Sequence, residues 1–591
     1  MVLACACETG WLYREIARLA LNMAPAAEPT LAGDVFPWVK VITARMIPSI
    51  QSIHLQEQGF RYSFAFAMCC AGLFGLYAVM LRLARGSQPR WFMAVVAGAP
   101  ALYMGVLLCA PVMLSSDVYA YAHYGRMLAL HGADVNVAAS QAFNLADPYS
   151  LGGYFDFVPN VYGALWTLIS ALVAKVGSGH IGLTVLLFRG IETAAALWCG
   201  GLIWLIQKEV SPERAAQGVV LFLWNPLVLI ESALSGHNDT CMMALALLAL
   251  WLHLRGFKAG AVIALALSAL VKVVTWPLVP LYMLMILRSS KAGRKEGLSF
   301  VARAAAGVAA AVILSMGAAR MSFNSPTGHL FGSPEFYLNN YHEPLFRGLR
   351  RMLGEPEATI HAPMDFTVSW MAPTRQTGLH SDISDDSRAL CLLRPGQPLL
   401  VLSTPLAREP EDWVRLFDPA DRVVGFLHKP QIHEIAPPPN ADRNPAVRML
   451  SVSPRDWRTV VTANRWIRAV TWGLFAAFGL LAAWKTTDFE RFVLWGAGFF
   501  LASQLLVFSK IWPWYAVWPL AFGALNPRSY PARLAMMLSA GLLLLYVFLG
   551  FENTRCEWAY DYRSIFTIVL PVVLWQLVAW YNQHRAIRFR Q

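Results

Sequence analysis

Asp117 closes the run Val112-Met-Leu-Ser-Ser-Asp-Val-Tyr119 at the end of an apolar stretch of about 23 residues. Ionisable side chains at the edge of such a stretch are costly and tend to face a cavity or a substrate. Tyr121, His123 and Arg126 follow it closely, and Tyr162 and Trp166 lie in a later Tyr-Gly-Ala-Leu-Trp run. A second polar cluster, Gly236-His-Asn-Asp239, ends the run that begins Trp224-Asn-Pro-Leu-Val-Leu-Ile-Glu231. A third is Lys272 in the middle of the apolar segment 259–287, with Lys510-Ile-Trp-Pro-Trp-Tyr515 as a further basic and aromatic run. Together these residue types suit one kind of chemistry. A carboxylate can take the proton of a hydroxyl nucleophile. A lysine can stabilise a phosphate leaving group as its charge grows. His237, Asn238 and Asp239 offer directional hydrogen bonds of the kind a sugar needs, and aromatic rings offer flat apolar faces.

Each residue also has a plainer reading. Ser115, Ser116 and Asp117 are all good helix N-cap types. His237-Asn-Asp239 could be a turn capping the apolar helix 240–255, and Lys272 could reach up to lipid headgroups. Arg189 and Glu192 stand three apart on one apolar span and read most simply as an internal ion pair. The case for chemistry rests on the joint occurrence of the clusters.

The elements that would position them are membrane helices. The chain has 591 residues, 57% hydrophobic and only 14% charged, with a mean hydropathy of +0.46. That is a polytopic membrane protein, since soluble domains carry roughly 25% charged residues. Apolar runs near 62–83, 92–114, 183–206, 215–234, 240–255, 259–271, 273–287, 301–318, 466–484, 490–508, 512–526, 534–550 and 564–581 suggest about 13 spans. The segment 259–287 reads as two half-spans meeting near Lys272. Basic loops around Arg82, Lys208, Arg255, Arg288 and Lys485 fall on one side if 161–176 lies in the interface and does not cross. That side is read as cytoplasmic, and all three polar clusters then reach the outer face. The net charge of +12 is explained by these loops, so no nucleic-acid partner is invoked. The nine cysteines show no metal spacing and no disulfide framework. Residues 1–61 form an N-terminal segment outside or at the interface, in which 11–23 reads as an amphipathic helix.

Residues 62–318 and 466–591 are thus two transmembrane modules, with a catalytic outer loop at 115–182. Between them, 319–465 is an outer insert. Short β-type runs at 390–393, 399–403, 413–417, 423–427 and 432–435, separated by turns such as Arg394-Pro-Gly396, suggest a small barrel over about 388–436. Trp413-Val-Arg-Leu followed by Val424-Gly-Phe-Leu427 resembles bacterial SH3-like domains.

The Asp117-Val-Tyr-x-Tyr-x-x-x-Gly-Arg126 segment, the Tyr162-Gly-Ala-Leu-Trp166 run, and Asn225-Pro-Leu-Val-Leu with Gly236-His-Asn-Asp239 resemble the polyprenol-phosphate-mannose-dependent mannosyltransferases of bacteria, in the GT-C glycosyltransferase superfamily. The resemblance covers residues 92–320 and resumes over 466–580, where Trp514-Tyr-Ala-Val-Trp-Pro519 fits. It implies an all-α polytopic fold with juxtamembrane helices, in the bacterial plasma membrane, with the active site on the extracytoplasmic face. It implies inverting transfer of a hexose such as mannose from a polyprenyl-phosphate donor to a hydroxyl of a glycan, lipid or protein acceptor. Asp117 would be the base. Lys272 and Lys510 would hold the donor phosphate. Tyr121, His123, Tyr162, His237, Asn238, Asp239, Trp514 and Tyr515 would shape the sugar and acceptor sites. A divalent metal stays open, since some superfamily members use one, although no clear second or third carboxylate accompanies Asp117 in sequence beyond Asp239, and no metal ligand set is indicated. Two features depart from the family pattern: Gly132-Ala-Asp-Val135 comes first with Asp147-Pro-Tyr149 displaced after it, and the SH3-like insert lies outside it. The alternative reading is a transporter or flippase of lipid-linked sugars, for which broken helices are the expected signature.

Overall fold

The computed structural model describes residues 1–23, 59–86, 88–112, 114–115, 117–136, 160–289, 294–321, 370–380, 389–401, 412–418, 423–436, 438, 454–508, 511–549, 563, 565–574 and 576–577. Lys510, the Asp147-Pro-Tyr149 run and most of the insert outside its strands lie beyond these.

The chain opens with α1 (Val2–Met23), α2 (Gly59–Leu83) and α3 (Arg90–Leu108). The first helix begins nine residues before the expected amphipathic stretch. It packs on the next two through buried Tyr13 and Ile16, and Tyr103 donates a hydrogen bond to the carbonyl of Ala6 at 2.6 Å. Pro111 stops α3, because a proline disfavours helical geometry in the residue before it. α4 (Asp117–His131) then starts at the carboxylate itself, and α5 (Ala164–Gly177) follows.

α6 (Ile181–Val210) is the longest uninterrupted span. α7 (Ala215–Leu223) and α8 (Pro226–Leu229) are broken at Asn225-Pro226, where the axis bends by 54°. The break has a local cause. Pro226 occupies the first helical turn, and the Asn225 side chain accepts a hydrogen bond from the Leu227 N–H at 3.0 Å. α8 runs on as a wide turn over Ile230–Ser235 that closes at Gly236, whose φ of 76° suits glycine.

α9 (Asp239–Leu254), α10 (Lys258–Val271), α11 (Leu278–Ser289) and α12 (Arg294–Ala318) complete the first module. Lys272 is the extended residue at which α10 ends, before a tight turn over Val273–Thr275, so the break expected there is present. After the insert come α13 (Pro454–Lys485), α14 (Phe489–Ala502), α15 (Val517–Gly523), α16 (Tyr530–Leu543) and α17 (Leu545–Leu549). The two modules share one apolar core, and polar contacts cross between them: Gln207 donates to the carbonyl of Ala524 at 3.0 Å, and Asn225 to the Ser539 hydroxyl at 2.9 Å.

The span count differs from the expectation of about 13. Six described helices are long and apolar enough to cross a membrane, or seven with the bent α7–α8 pair taken as one span. The runs expected at 240–255, 259–271, 273–287, 466–484 and 564–581 contain apolar helices of 10–17 residues, and the run at 512–526 holds the short α15. Hydropathy responds to apolarity alone, whereas a crossing needs about 20 residues of helix.

The insert contains an antiparallel sheet of seven short strands: β1 (Trp370–Pro373), β2 (Thr377–His380), β3 (Ala389–Leu393), β4 (Leu399–Val401), β5 (Trp413–Asp418), β6 (Val423–His428) and β7 (Ile432–Ile435). Their order is β3-β2-β6-β5-β4-β1-β7. Five match the expected runs. The sheet begins earlier than residue 388, because β1 pairs with both β4 and β7 and β2 with both β3 and β6. Its own small core holds Leu379, Leu393, Leu399, Leu416 and Leu427.

Candidate active site

Asp117 lies at the first turn of α4, where the helix dipole favours a negative charge. Its side chain is 15% exposed, and its backbone N–H donates to the Ser115 hydroxyl at 3.2 Å. Tyr162, just before α5, donates its phenol to Asp117 Oδ2 at 3.3 Å. Tyr121, one turn into α4, packs edge-on against Tyr162 and Trp166, with ring centroids 4.8 and 5.2 Å away. Burial pushes both the Tyr121 and Tyr162 phenols well above their ordinary range, and the charge of Asp117 adds to the effect. Both therefore face the carboxylate as neutral hydroxyls at neutral pH. His123 is buried further along the same helix.

His237 meets this group from the other side. Its Nε2 is 2.9 Å from Ser115 Oγ and 3.7 Å from Asp117 Oδ2. Its Nδ1 is 2.8 Å from Glu231 Oε2, a close approach off the axis of a hydrogen bond. Glu231 Oε1 accepts a hydrogen bond from the Tyr546 phenol at 2.9 Å. The imidazole stacks on Trp514 at 3.7 Å, and Trp514 in turn on Trp512 at 5.2 Å. Asn238 is wholly buried, and neither end of its amide has a hydrogen-bond partner among the described residues. An orphaned buried amide is expensive, so this one suits a ligand hydroxyl.

Lys272 does not stand as a bare cation. Its ammonium donates to both oxygens of Asp239, at 2.9 and 3.2 Å. Trp518 donates its indole N–H to the same carboxylate. The ammonium also lies over the rings of Tyr515 and Trp518, 5.1 and 5.5 Å from their centroids. Tyr121 and Tyr515 each feel the charges of both Asp117 and Asp239, which makes the two carboxylate groups neighbours in one site.

Arg189 and Glu192 do not pair with each other. Arg189, fully buried, donates to the carbonyls of Leu107, Ala110 and Ala233 at 2.6, 2.7 and 2.7 Å. Glu192 instead accepts from the Thr240 hydroxyl and from the Cys241 N–H at 3.1 Å. The i, i+3 spacing allows a pair, but carbonyls at and just beyond the end of α3 and on the wide turn take the guanidinium instead. Arg189 thereby ties the segment leading to Asp117 to the turn leading to His237.

Residues 31–288 match the family model of the alpha-(1->6)-mannopyranosyltransferase N-terminal domain. This agrees with the resemblance to GT-C mannosyltransferases. No curated protein and no solved structure gives a significant match.

The matched region contains Asp117, Tyr162, Arg189, Glu231, His237, Asp239 and Lys272. Trp514, Tyr515, Trp518 and Tyr546 close the site from helices outside the matched region. Glu231, Arg189, Trp518 and Tyr546 carried no assigned site role in the sequence. The signal for Glu231 was present: it is a lone carboxylate in the apolar run Leu227-Val-Leu-Ile-Glu231. Among the described residues, no group of three or more His, Cys, Asp and Glu side chains surrounds a point where a metal ion could be held.

Proposed function

We propose that the protein is a membrane mannosyltransferase that forms an α-(1→6)-mannopyranosyl linkage, using a polyprenyl-phosphate mannose as donor, on the extracytoplasmic face. The observation that carries this reading is Asp117: a partly exposed carboxylate inside the matched domain, flanked by neutral phenols, an imidazole and an orphaned amide.

In this reading Asp117 Oδ2 takes the proton of the acceptor 6-hydroxyl as its oxygen attacks the anomeric carbon. The bond from that carbon to the phosphate oxygen breaks, and the electron pair leaves with the lipid phosphate. A single displacement inverts the anomeric configuration. Tyr162 holds Asp117 in place. Asn238 binds a sugar hydroxyl, and Trp514 backs the His237 ring. Lys272 meets the departing phosphate, with Asp239 fixing its position until the donor arrives. The basic loops and the outward position of the three clusters support the extracytoplasmic assignment. The test is transfer of radiolabelled mannose from polyprenyl-phosphate mannose to a short mannoside by the purified protein in nanodiscs. A product with the donor's own anomeric configuration, or no transfer by a well-folded protein, would overturn the reading.

A further inference from the structure

We infer that Glu231, His237 and Asp117 form a proton relay in which His237 takes over the proton that Asp117 removes from the acceptor. This rests on the reading of Asp117 as base and goes beyond it by naming where the proton goes next.

The geometry places one carboxylate at each nitrogen of a single ring. Glu231 Oε2 is 2.8 Å from Nδ1, and Asp117 Oδ2 is 3.7 Å from Nε2. An ionised carboxylate only accepts, so Glu231 Oε2 beside Nδ1 favours the neutral-ring tautomer with its proton on that nitrogen. Nε2 is then an acceptor. In that tautomer Nε2 accepts from the Ser115 hydroxyl at 2.9 Å, and Ser115 Oγ itself accepts from the Asp117 backbone N–H at 3.2 Å, which holds Ser115 at the start of α4.

Burial sharpens the assignment. The side chains of His237 and Glu231 are each only 1% exposed, whereas Asp117 is 15% exposed. A buried carboxylate without a cation is costly, and an imidazolium beside it removes that cost. The groups facing the ring are Ser115 and Asp117 from the start of α4, Glu231 from the wide turn, and Trp514 stacked on its face. Tyr546 reaches Glu231 and Lys272 is occupied by Asp239, so neither is placed to take the proton.

The step balances. The acceptor O–H bond breaks and the proton goes to Asp117 Oδ2 as the new glycosidic C–O bond forms and the C–O bond to phosphate breaks. The proton then passes from Asp117 Oδ2 to His237 Nε2 across the 3.7 Å between them, leaving Asp117 ionised and the ring cationic between two carboxylates. Release to the phosphate product or to water restores the neutral ring.

The test uses the full-length protein in nanodiscs with polyprenyl-phosphate mannose and a short α-(1→6)-mannoside, and measures kcat and KM across pH for His237→Gln and Glu231→Gln. The relay gives about a 100-fold fall in kcat for His237→Gln with KM values within about 3-fold of wild type. In Glu231→Gln, the loss of negative charge moves the acid limb of kcat to lower pH and lowers its plateau about 10-fold. If Glu231→Gln fails to fold, His237→Gln alone decides. A wild-type kcat in His237→Gln, or a change confined to KM, overturns the relay and leaves His237 a binding residue. Asp117→Asn is measured alongside: activity there sinks the base itself, whereas an inactive Asp117→Asn beside a fully active His237→Gln sinks only the relay.

Discussion

Lys272 spends two of its three N–H donors on Asp239, one to each carboxylate oxygen, at 2.9 and 3.2 Å. The side chain of Asp239 is 1% exposed and that of Lys272 15%. The pair therefore sits where breaking it costs more than its net worth. Lys272→Met leaves the buried Asp239 carboxylate without its cation, held by the Trp518 N–H, and should destabilise the fold by about 3–5 kcal/mol. The double variant Lys272→Met with Asp239→Asn should recover much of that loss, measured by thermal unfolding in detergent. If Lys272 also meets the donor phosphate, the double variant stays inactive although its stability returns.

Arg189 should matter as much as any residue that touches substrate. Its guanidinium closes three buried carbonyls on two segments. Arg189→Met removes a charged donor from each of the three and should cost about 3 kcal/mol. Arg189→Lys has too few directed donors to replace the fork and should recover only part of the loss. Unfolding temperatures of both variants against wild type check this.

Gly236 sets the direction of His237. Its φ is 76°, and an added Cβ would come within 2.8 Å of Arg189 Cγ. Gly236→Ala should destabilise by about 1–3 kcal/mol and reduce transfer, because the strained turn carries the imidazole. Wild-type stability and turnover together would show that the turn tolerates a side chain.

Tyr162→Phe removes the phenol that donates to Asp117 Oδ2. It should lower kcat by about 3–10-fold with little change in stability. The pH sign also follows. The buried Tyr121 and Tyr162 hold their protons to higher pH when folded than when unfolded. Their contribution to stability is therefore complete below the unfolded value of about 10 and declines as pH rises beyond it. Alkaline unfolding should set in later for a Tyr121→Phe, Tyr162→Phe double variant than for wild type at matched neutral-pH stability.

Much of this site could be read from the sequence. Asp117, Tyr162, His237, Asp239 and Lys272 were singled out because each is a polar group at the margin of an apolar run, and the fold brings them together. The break at Lys272 was visible because 259–287 is too long for one crossing. What escaped was pairing. Spacing on one helix suggested that Arg189 binds Glu192, whereas each is held by groups from distant segments. Lys272 looked like an available cation because its partner lies 33 positions away. Glu231 and Tyr546 are 315 residues apart, and only the packed modules join them. The five strands between 389 and 435 were legible by alternation and turns; β1 and β2 are four residues each and are recognised through their neighbours in the sheet.

The most direct measurement is mannose transfer by purified Asp117→Asn in nanodiscs, with donor binding measured in parallel. Asn keeps the shape of the side chain and removes its basicity. The expected result is donor binding within about 3-fold of wild type and kcat reduced at least about 100-fold at neutral pH. Near-wild-type turnover in a folded Asp117→Asn protein would contradict the assignment of Asp117 as the base.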